Sequence, residues 1–243
     1  MARRKRQEKQ GGQSRWWELT PAAAAALQRE LAGRVRQEEL AWSAGGGLVA
    51  GADAAFSTDG QWCLAAVVVL RYPKMELVCG TEAAERVTFP YVPGLLSFRE
   101  APAVLAAYGK LAVRPDVLLV DGQGLAHPRR FGLACHLGVE LDVPTIGCAK
   151  SLLVGEHRAV GSRRGRRCRL WDAGEVVGMA VRTREGVKCI YVSVGHRVRL
   201  EEAARVVLRC CKGYRLPEPT RLAHRWVTRL RARRPMDMGG SWR

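Results

Sequence analysis

One segment, residues 61–72 (QWCLAAVVVLRY), constrains the fold of this chain more than any other. It has no charged residue before Arg71 and is rich in valine and alanine. A strand with one face in water alternates apolar and polar residues, whereas this segment is almost wholly apolar. We therefore expect a β-strand that is buried on both faces.

The segments around this strand predict the layers that cover it. Further strands are predicted over residues 47–56, 75–89, 115–122, 144–151, 175–183 and 187–195. Helices are predicted over residues 19–37, 96–111, 129–142, 199–212 and 220–234. Three successive strands, followed by strands that alternate with helices, indicate an α/β fold with a mixed sheet and helices on its faces.

Local signals predict how two of the helices begin. Thr20 is placed to cap the first helix, with Pro21 at the first helical position. Ser97 is a candidate cap for the second helix, since Glu100 follows at the spacing of a capping box. Residues 157–170 (HRAVGSRRGRRCRL) are expected to form a basic loop.

The charge of the chain indicates a polyanionic partner. Lysine and arginine number 40 against 23 aspartate and glutamate, a formal net charge of +17. The excess is uneven: residues 1–15 hold six basic and one acidic residue, residues 156–169 six and one, and residues 197–243 thirteen and four. Solubility is the simpler explanation of such charge. Nucleic acid is the partner that we favour, because neutralised phosphates release counterions.

No segment predicts a membrane-bound or secreted protein. No apolar run reaches the ~18–20 residues that a membrane-spanning helix needs, and residues 1–14 lack the apolar core of a secretory signal. The basic run at residues 3–6 has no apolar face for a membrane surface. We expect a cytoplasmic protein without membrane contact.

The eight cysteines do not have the spacing of a zinc site. They form no CxxC pair, and the only close pair is the adjacent Cys210 and Cys211. Several stand in apolar segments, where a reduced cysteine behaves as a small hydrophobic residue. A structural role is the expectation for them.

Three acidic residues stand where a carboxylate is unexpected. Asp53 lies in the middle of an otherwise uncharged strand, Asp121 ends the apolar segment VLLVDG, and Glu100 lies in the first turns of a helix. A buried carboxylate needs a cation, and three that converge would suit Mg²⁺. Each also has a simpler explanation, since an aspartate commonly pairs with arginine and Glu100 fits a capping box.

Two histidines are candidates for an acid, a base or a group that positions water. His127 follows Asp121 by six residues and precedes two arginines, and His224 lies in PTRLAHRW. His136, within a helix, is expected to be structural, and no role is assigned to His157 or His196.

Five stretches together resemble the endonuclease V family, in that family's order and spacing. They are VAGADAAFS, FPYVPGLLSFREAPAVL, DGQGLAHPRRFGLACHLGVELDVPTIGCAKSLLVG, YVSVGH and YRLPEPTRLAH, which run from about Gly47 to His224. The resemblance implies a ribonuclease-H-like fold, a mixed central sheet flanked by helices. One departure is Gln123, in DGQG, where the family often has histidine or asparagine; it leaves the acid intact and is expected to tune substrate preference.

The resemblance also implies roles for particular residues. The metal-binding carboxylates correspond to Asp53, Glu100 and Asp121, and these act in catalysis with His224 and Lys150. The substrate-binding positions comprise a wedge around Tyr91 and a base pocket built largely from backbone. From its place in the sequence, we also assign His127 to substrate binding. The wedge prolines are Pro90 and Pro93, and the pocket positions are Gly94, Leu96, Gly122, Gly132 and Leu133.

The implied activity is a Mg²⁺-dependent DNA-repair endonuclease, with Mn²⁺ as a possible substitute. It nicks the second phosphodiester bond 3′ of deoxyinosine and leaves 5′-phosphate and 3′-hydroxyl ends. The catalytic domain is expected over residues 16–234, between a disordered basic tail (1–15) and a C-terminal tail (235–243), with a monomer as the default. Two alternatives stay open: an endoribonuclease specific for inosine in RNA, and an inactive module that only binds nucleic acid.

Overall fold

The computed structural model describes residues 19–41 and 46–232. Both predicted tails and the end of the last predicted helix, residues 233 and 234, lie outside the described residues. The helices are α1 (Pro21–Ala32), α2 (Ser97–Gly109), α3 (Leu133–Leu141), α4 (Leu200–Cys210) and α5 (Glu218–Ala232). The strands are β1 (Gly47–Phe56), β2 (Trp62–Tyr72), β3 (Glu76–Arg86), β4 (Val117–Val120), β5 (Thr145–Ala149), β6 (Arg167–Asp172), β7 (Glu175–Val181) and β8 (Ile190–His196).

The strands form one mixed sheet in the order β3-β2-β1-β4-β5-β8-β7-β6. The central strands β1, β4 and β5 are parallel, and the strands on either side of them pair antiparallel. The sheet therefore has two edge strands, β3 and β6. The predicted α/β class is confirmed.

Strand β2 is buried on both faces, as its apolar sequence predicts. On one face, Val67 joins the same hydrophobic cluster as Phe98 and Val104 of α2. On the other face, Leu64 and Ala66 join a cluster with two residues of α5, Val227 and Leu230. Helices thus cover both sides of the sheet. Across the described ranges, no helix combines the length and the apolar character needed to cross a bilayer.

The prediction for the start of α1 is confirmed, and that for α2 is wrong. Thr20 caps α1 by accepting a hydrogen bond from the backbone N–H of Ala23 at 3.3 Å, and Pro21 opens the helix. The cap of α2 is Leu96, which makes no side-chain capping bond. The Ser97 hydroxyl instead lies 3.0 Å from Nδ1 of the buried His136. A partner distant in sequence has replaced the predicted local one.

The expectation of a basic loop over residues 157–170 is also wrong in part. Its end forms β6, which pairs antiparallel with β7. Within β6 the exposed Arg167 and Arg169 alternate with the half-buried Cys168 and the buried Leu170. The period of a strand is present there, but it is hidden in a run of arginines.

Candidate active site

Two of the predicted carboxylates meet because β1 and β4 are parallel neighbours. Ala52 of β1 pairs with Val120 of β4, and the backbone N–H of Asp121 donates to the Ala52 carbonyl at 3.0 Å. The next residue in each chain segment is an aspartate: Asp53 within β1, and Asp121 directly after the end of β4. Ligands bind at this carboxyl edge in open α/β sheets.

Helix α5 brings a histidine to the same place. Its first turn lies directly on β1, where a Cβ added to Gly51 would come within 2.1 Å of the carbonyl carbon of Pro219. This close approach places Nδ1 of His224 2.7 Å from Oδ2 of Asp53. Ligand atoms of Asp53, Asp121 and His224 all lie within 4.8 Å of one another, so the three could hold a metal ion.

Glu100 stands beside this group without belonging to it. Burial, followed by the charges of Asp53 and Asp121, raises the pKa of the Glu100 carboxyl to about 8. Burial, followed by the charge of Asp121, likewise raises the pKa of Asp53 to about 6. Carboxylates in this arrangement repel one another, and a bound cation would relieve that repulsion. The donor set therefore fits a hard divalent cation.

A lysine supplies positive charge next to Asp121. Lys150 follows β5, the parallel neighbour of β4, and its ammonium forms an ion pair with Asp121. The carbonyl of Lys150 accepts a hydrogen bond at 2.5 Å from the Arg215 guanidinium. The position of Lys150 thus depends on a residue between α4 and α5.

A cavity of about 450 Å³ opens next to the acids. Glu100, Asp121 and Lys150 lie in its wall, which brings three of the five predicted catalytic residues to the cavity. Gln123 also lines it and donates from Nε2 to the Ser151 carbonyl at 3.0 Å. The lining includes all predicted substrate-binding residues but Pro90: Tyr91, Pro93, Gly94, Leu96, Gly122, His127, Gly132 and Leu133.

The cavity wall needs glycine where backbones nearly touch. Gly94 has a φ of +78°, a conformation that favours glycine. A Cβ on Gly132 would lie 2.3 Å from the carbonyl oxygen of Gln123. Backbone groups can therefore face a ligand closely on this side of the cavity.

Tyr91 stands at the rim of the cavity with 71% of its surface exposed. The Arg99 guanidinium lies 5.7 Å from the centre of the Tyr91 ring and 4.4 Å from that of Phe56. These are cation–π distances. The position of Arg99 beside the Tyr91 wedge was not predicted from the sequence. Its place directly before the predicted ligand Glu100 was a signal that could have suggested it.

A set of hydrogen bonds behind the cavity, made by Gln28 and Arg129, was also not predicted from the sequence. We call it the clamp. Gln28 of α1 is fully buried, and its amide donates to the carbonyls of Gly94 at 3.1 Å and Phe131 at 2.7 Å. The guanidinium of Arg129 donates to the same Gly94 carbonyl at 2.8 Å and to the side-chain oxygen of Gln28. The clamp thus joins the Tyr91 loop to the loop that follows His127.

His127, the other candidate histidine, and His136, which was expected to be structural, lie in different surroundings. His127 lines the cavity, and burial, together with the charge of Arg129, lowers its pKa to about 4. A neutral His127 is better suited to shape the pocket than to donate a proton. His136 lies between the rings of Phe98 and Phe131, at 5.0 and 5.3 Å, inside the core. Burial lowers the pKa of His136 to about 3.

The strand order and the acids at its central edge define the class: an α/β nuclease with a ribonuclease-H-like fold. The comparisons with known proteins agree. The sequence model of endonuclease V matches residues 29–225, and the chain belongs to the endonuclease V family. It is therefore an enzyme, a nuclease that acts on phosphodiester bonds.

Relatives match over nearly the whole chain. Endonuclease V of Gloeobacter violaceus is 51% identical over 92% of both chains. The crystal structure of endonuclease V from Streptomyces avermitilis has a TM-score of 0.84 and 44% identity, covering 88% of this chain and 94% of that one. A Ciona intestinalis endonuclease V was solved with DNA containing an inosine followed by a ribo-adenosine. It has a TM-score of 0.76 and 28% identity, covering 88% of this chain and 99% of that one.

Proposed function

We propose that this chain is a Mg²⁺-dependent DNA-repair endonuclease that nicks the second phosphodiester bond 3′ of deoxyinosine. The products are 5′-phosphate and 3′-hydroxyl ends. The observation that carries the proposal is the group formed by Asp53, Asp121 and His224, within 4.8 Å, beside a cavity with Tyr91 at its rim. The inosine-containing DNA bound by the Ciona intestinalis relative supports the choice of substrate.

The metal would be held by Asp53 and Asp121, with Glu100 and His224 completing or flanking the site. The carboxylate oxygens of these residues suit Mg²⁺ and admit Mn²⁺ as a substitute. When bound, such an ion polarises the scissile phosphate and lowers the pKa of an attacking water.

The protein residues supply orientation and charge. Nδ1 of His224 is engaged by Asp53, so Nε2 is the ring nitrogen left to contact water or the leaving group. Lys150 neutralises Asp121 in the free enzyme. Beside the scissile phosphate, its ammonium could contact a phosphate oxygen and offset the charge that builds in the transition state.

The cavity would take the damaged base. Extruding a base costs a few kcal/mol, least for a mispaired one, and Tyr91, between Pro90 and Pro93, can fill the gap left in the stack. The base would rest among Gly94, Leu96, Gly122, Gly132 and Leu133, with His127 in the wall. Backbone donors there favour the hypoxanthine oxygen and leave adenine, which has an amino group in its place, poorly paired.

The test is strand cleavage of matched oligonucleotides that carry one deoxyinosine, one inosine in RNA, or neither. Each strand is incubated with Mg²⁺, with Mn²⁺ or with chelator. We expect a nick one nucleotide beyond the deoxyinosine linkage, lost with chelator and with Asp121→Asn. If the wild type binds the deoxyinosine strand without cutting it and Asp121→Asn binds it equally well, an inactive binding module is the better explanation. If both proteins cut equally well, Asp121 is not catalytic.

The second candidate is an enzyme that acts mainly on inosine in RNA. The strand held by the Ciona intestinalis relative carries a ribose immediately after the inosine, so a ribose there is accommodated by that protein. Faster cleavage of the RNA strand than of the DNA strand would establish this candidate. We further propose a monomer, which sedimentation equilibrium tests directly.

A further inference from the structure

A second cleft lies next to the candidate active site. It has a volume of about 440 Å³ and shares Lys150, Ser151 and Leu152 with the wall of the first cavity. Its other side is formed around Arg182, at the end of β7, and Lys188, just before β8. We call it the basic cleft. The basic cleft therefore adjoins the candidate active site along Lys150.

The lining of the basic cleft is cationic. Lys150, Arg182, Lys188 and Arg215 line it, with His157, and no carboxylate does so among the described residues. In the described part of the chain, no ion pair involves Arg182, Lys188 or Arg215. Three positive charges therefore face one another without a counter-charge.

The two arginines are held in place by neutral groups. Arg182 donates to the carbonyls of residues 160, 161 and 187, and Arg215 to those of residues 150, 188 and 189. A guanidinium has five N–H groups, so three of five are used and two remain on each arginine. Carbonyls orient a guanidinium without cancelling its charge. An anion that entered would meet cations already ordered, at a low entropic cost.

We propose that the basic cleft binds a backbone phosphate of the substrate strand outside the scissile bond. The inference rests on the proposed function, since it needs a nucleic acid that runs through the active site. Preordered arginine pairs are suited to phosphate oxygens, and the shared wall at Lys150 joins the cleft to the cut site. The cleft thus lengthens the stretch of strand that the enzyme grips and fixes its register relative to the acids.

Lys188 is the residue to change, because its exposed side chain lines the cleft while only its backbone holds Arg215. The test compares Lys188→Gln with Lys74→Gln, a matched change in the β2–β3 turn at the opposite edge of the sheet. Binding of a deoxyinosine strand is measured by fluorescence anisotropy over a range of salt concentrations. Losing one phosphate contact should weaken binding several-fold and reduce the slope of log K against log salt by about 0.7–0.9. Lys74→Gln should match the wild type.

A second arm identifies the phosphate itself. Single methylphosphonates, which are uncharged, replace each phosphate around the deoxyinosine in turn. At one position outside the scissile bond, the replacement should weaken wild-type binding and have no further effect on Lys188→Gln. The inference is overturned if Lys188→Gln behaves like Lys74→Gln, or if every methylphosphonate weakens both proteins equally. A wild-type enzyme that neither binds nor cuts the deoxyinosine strand would remove the proposed function, and the inference with it.

Discussion

Glu100 and Asp53 show that a residue suited to a metal site can lower the stability of the folded protein. Both have raised pKa values, first because they are buried and then because they stand near other acids. At neutral pH the free enzyme therefore keeps a proton on Glu100. In the proposed function, a bound cation would take the place of that proton, so cation affinity is expected to rise with pH up to about 8.

Replacing Glu100 by Gln should stabilise the metal-free enzyme at high pH. With a pKa of about 8 in the folded state against 4.5 as the ordinary value, the folded protein binds more protons than the unfolded chain between these limits. Stability then falls as pH rises through this window. At pH 8.5 without metal, Glu100→Gln should raise Tm by roughly 2–8 °C, or about 1–2 kcal/mol, while cleavage is lost. Glu85→Gln, an exposed control on β3, should show neither effect, and equal Tm values for the two variants would contradict the account.

Tyr91→Ala should weaken the binding of a deoxyinosine strand about tenfold, because an aromatic ring contributes roughly 1–3 kcal/mol per stacked base. Anisotropy measures the strand affinity, and calorimetry with Mn²⁺ measures metal binding, which should not change. Tyr91→Phe keeps the ring and should bind like the wild type. An unchanged affinity for Tyr91→Ala would exclude the wedge role.

The acids could be predicted from sequence because a charge inside an apolar strand needs an explanation. Gln28, Arg129 and Arg215 could not be predicted in this way. Their side chains are held by backbone carbonyls far away in the chain, such as that of Gly94, 66 residues from Gln28. Any carbonyl can accept such a bond, so no residue type in the sequence marks the partner.

At the scale of whole elements, apolar patterning predicted the central strands well. Strand β1 has the predicted bounds, and β2 is buried as expected. The errors lie where another force competes with the local pattern. The hydroxyl of Ser97 bonds to His136 instead of capping α2, and Leu170 of β6 is buried within a segment dominated by arginine.

The contact between α5 and β1 gives a prediction at this scale. A side chain at position 51 would collide with Pro219, so Gly51→Ala should push the start of α5 away from β1 and carry His224 from Asp53. We expect a loss of about 1–3 kcal/mol in unfolding free energy and a fall in kcat of at least about tenfold. Gly109→Ala is the control, since a Cβ there meets nothing within 4 Å. A stable, fully active Gly51→Ala enzyme would show that the close approach does not position His224.

For the whole molecule, the net charge of +17 is expected to contribute affinity for any nucleic acid, whereas the cavity contributes the preference for a damaged base. These two parts respond differently to salt, because counterion release depends on phosphates and not on the base. The sequence predicted the sign of the partner's charge. It could not predict the basic cleft, which forms only when Arg182, Lys188 and Arg215 are brought together by the fold.

Removal of residues 1–15 tests the proposed domain bounds and the electrostatic contribution together. This segment holds six basic residues and one acid. Its removal should weaken binding to both undamaged and deoxyinosine strands and reduce the salt slope for both, while kcat at saturating substrate stays the same. Titrations at several salt concentrations measure the slopes. A loss of kcat, or of preference for deoxyinosine alone, would place the segment in the active site instead.

The two ends of the sheet have a consequence for how the enzyme behaves at high concentration. An edge strand offers unpaired backbone groups that another molecule can extend into a fibril. Here β6 presents Arg167 and Arg169, and β3 carries Glu82 and Glu85. Two copies paired β3 to β3, or β6 to β6, would bring like charges together, so the same residues that obscured β6 in the sequence also discourage these two pairings.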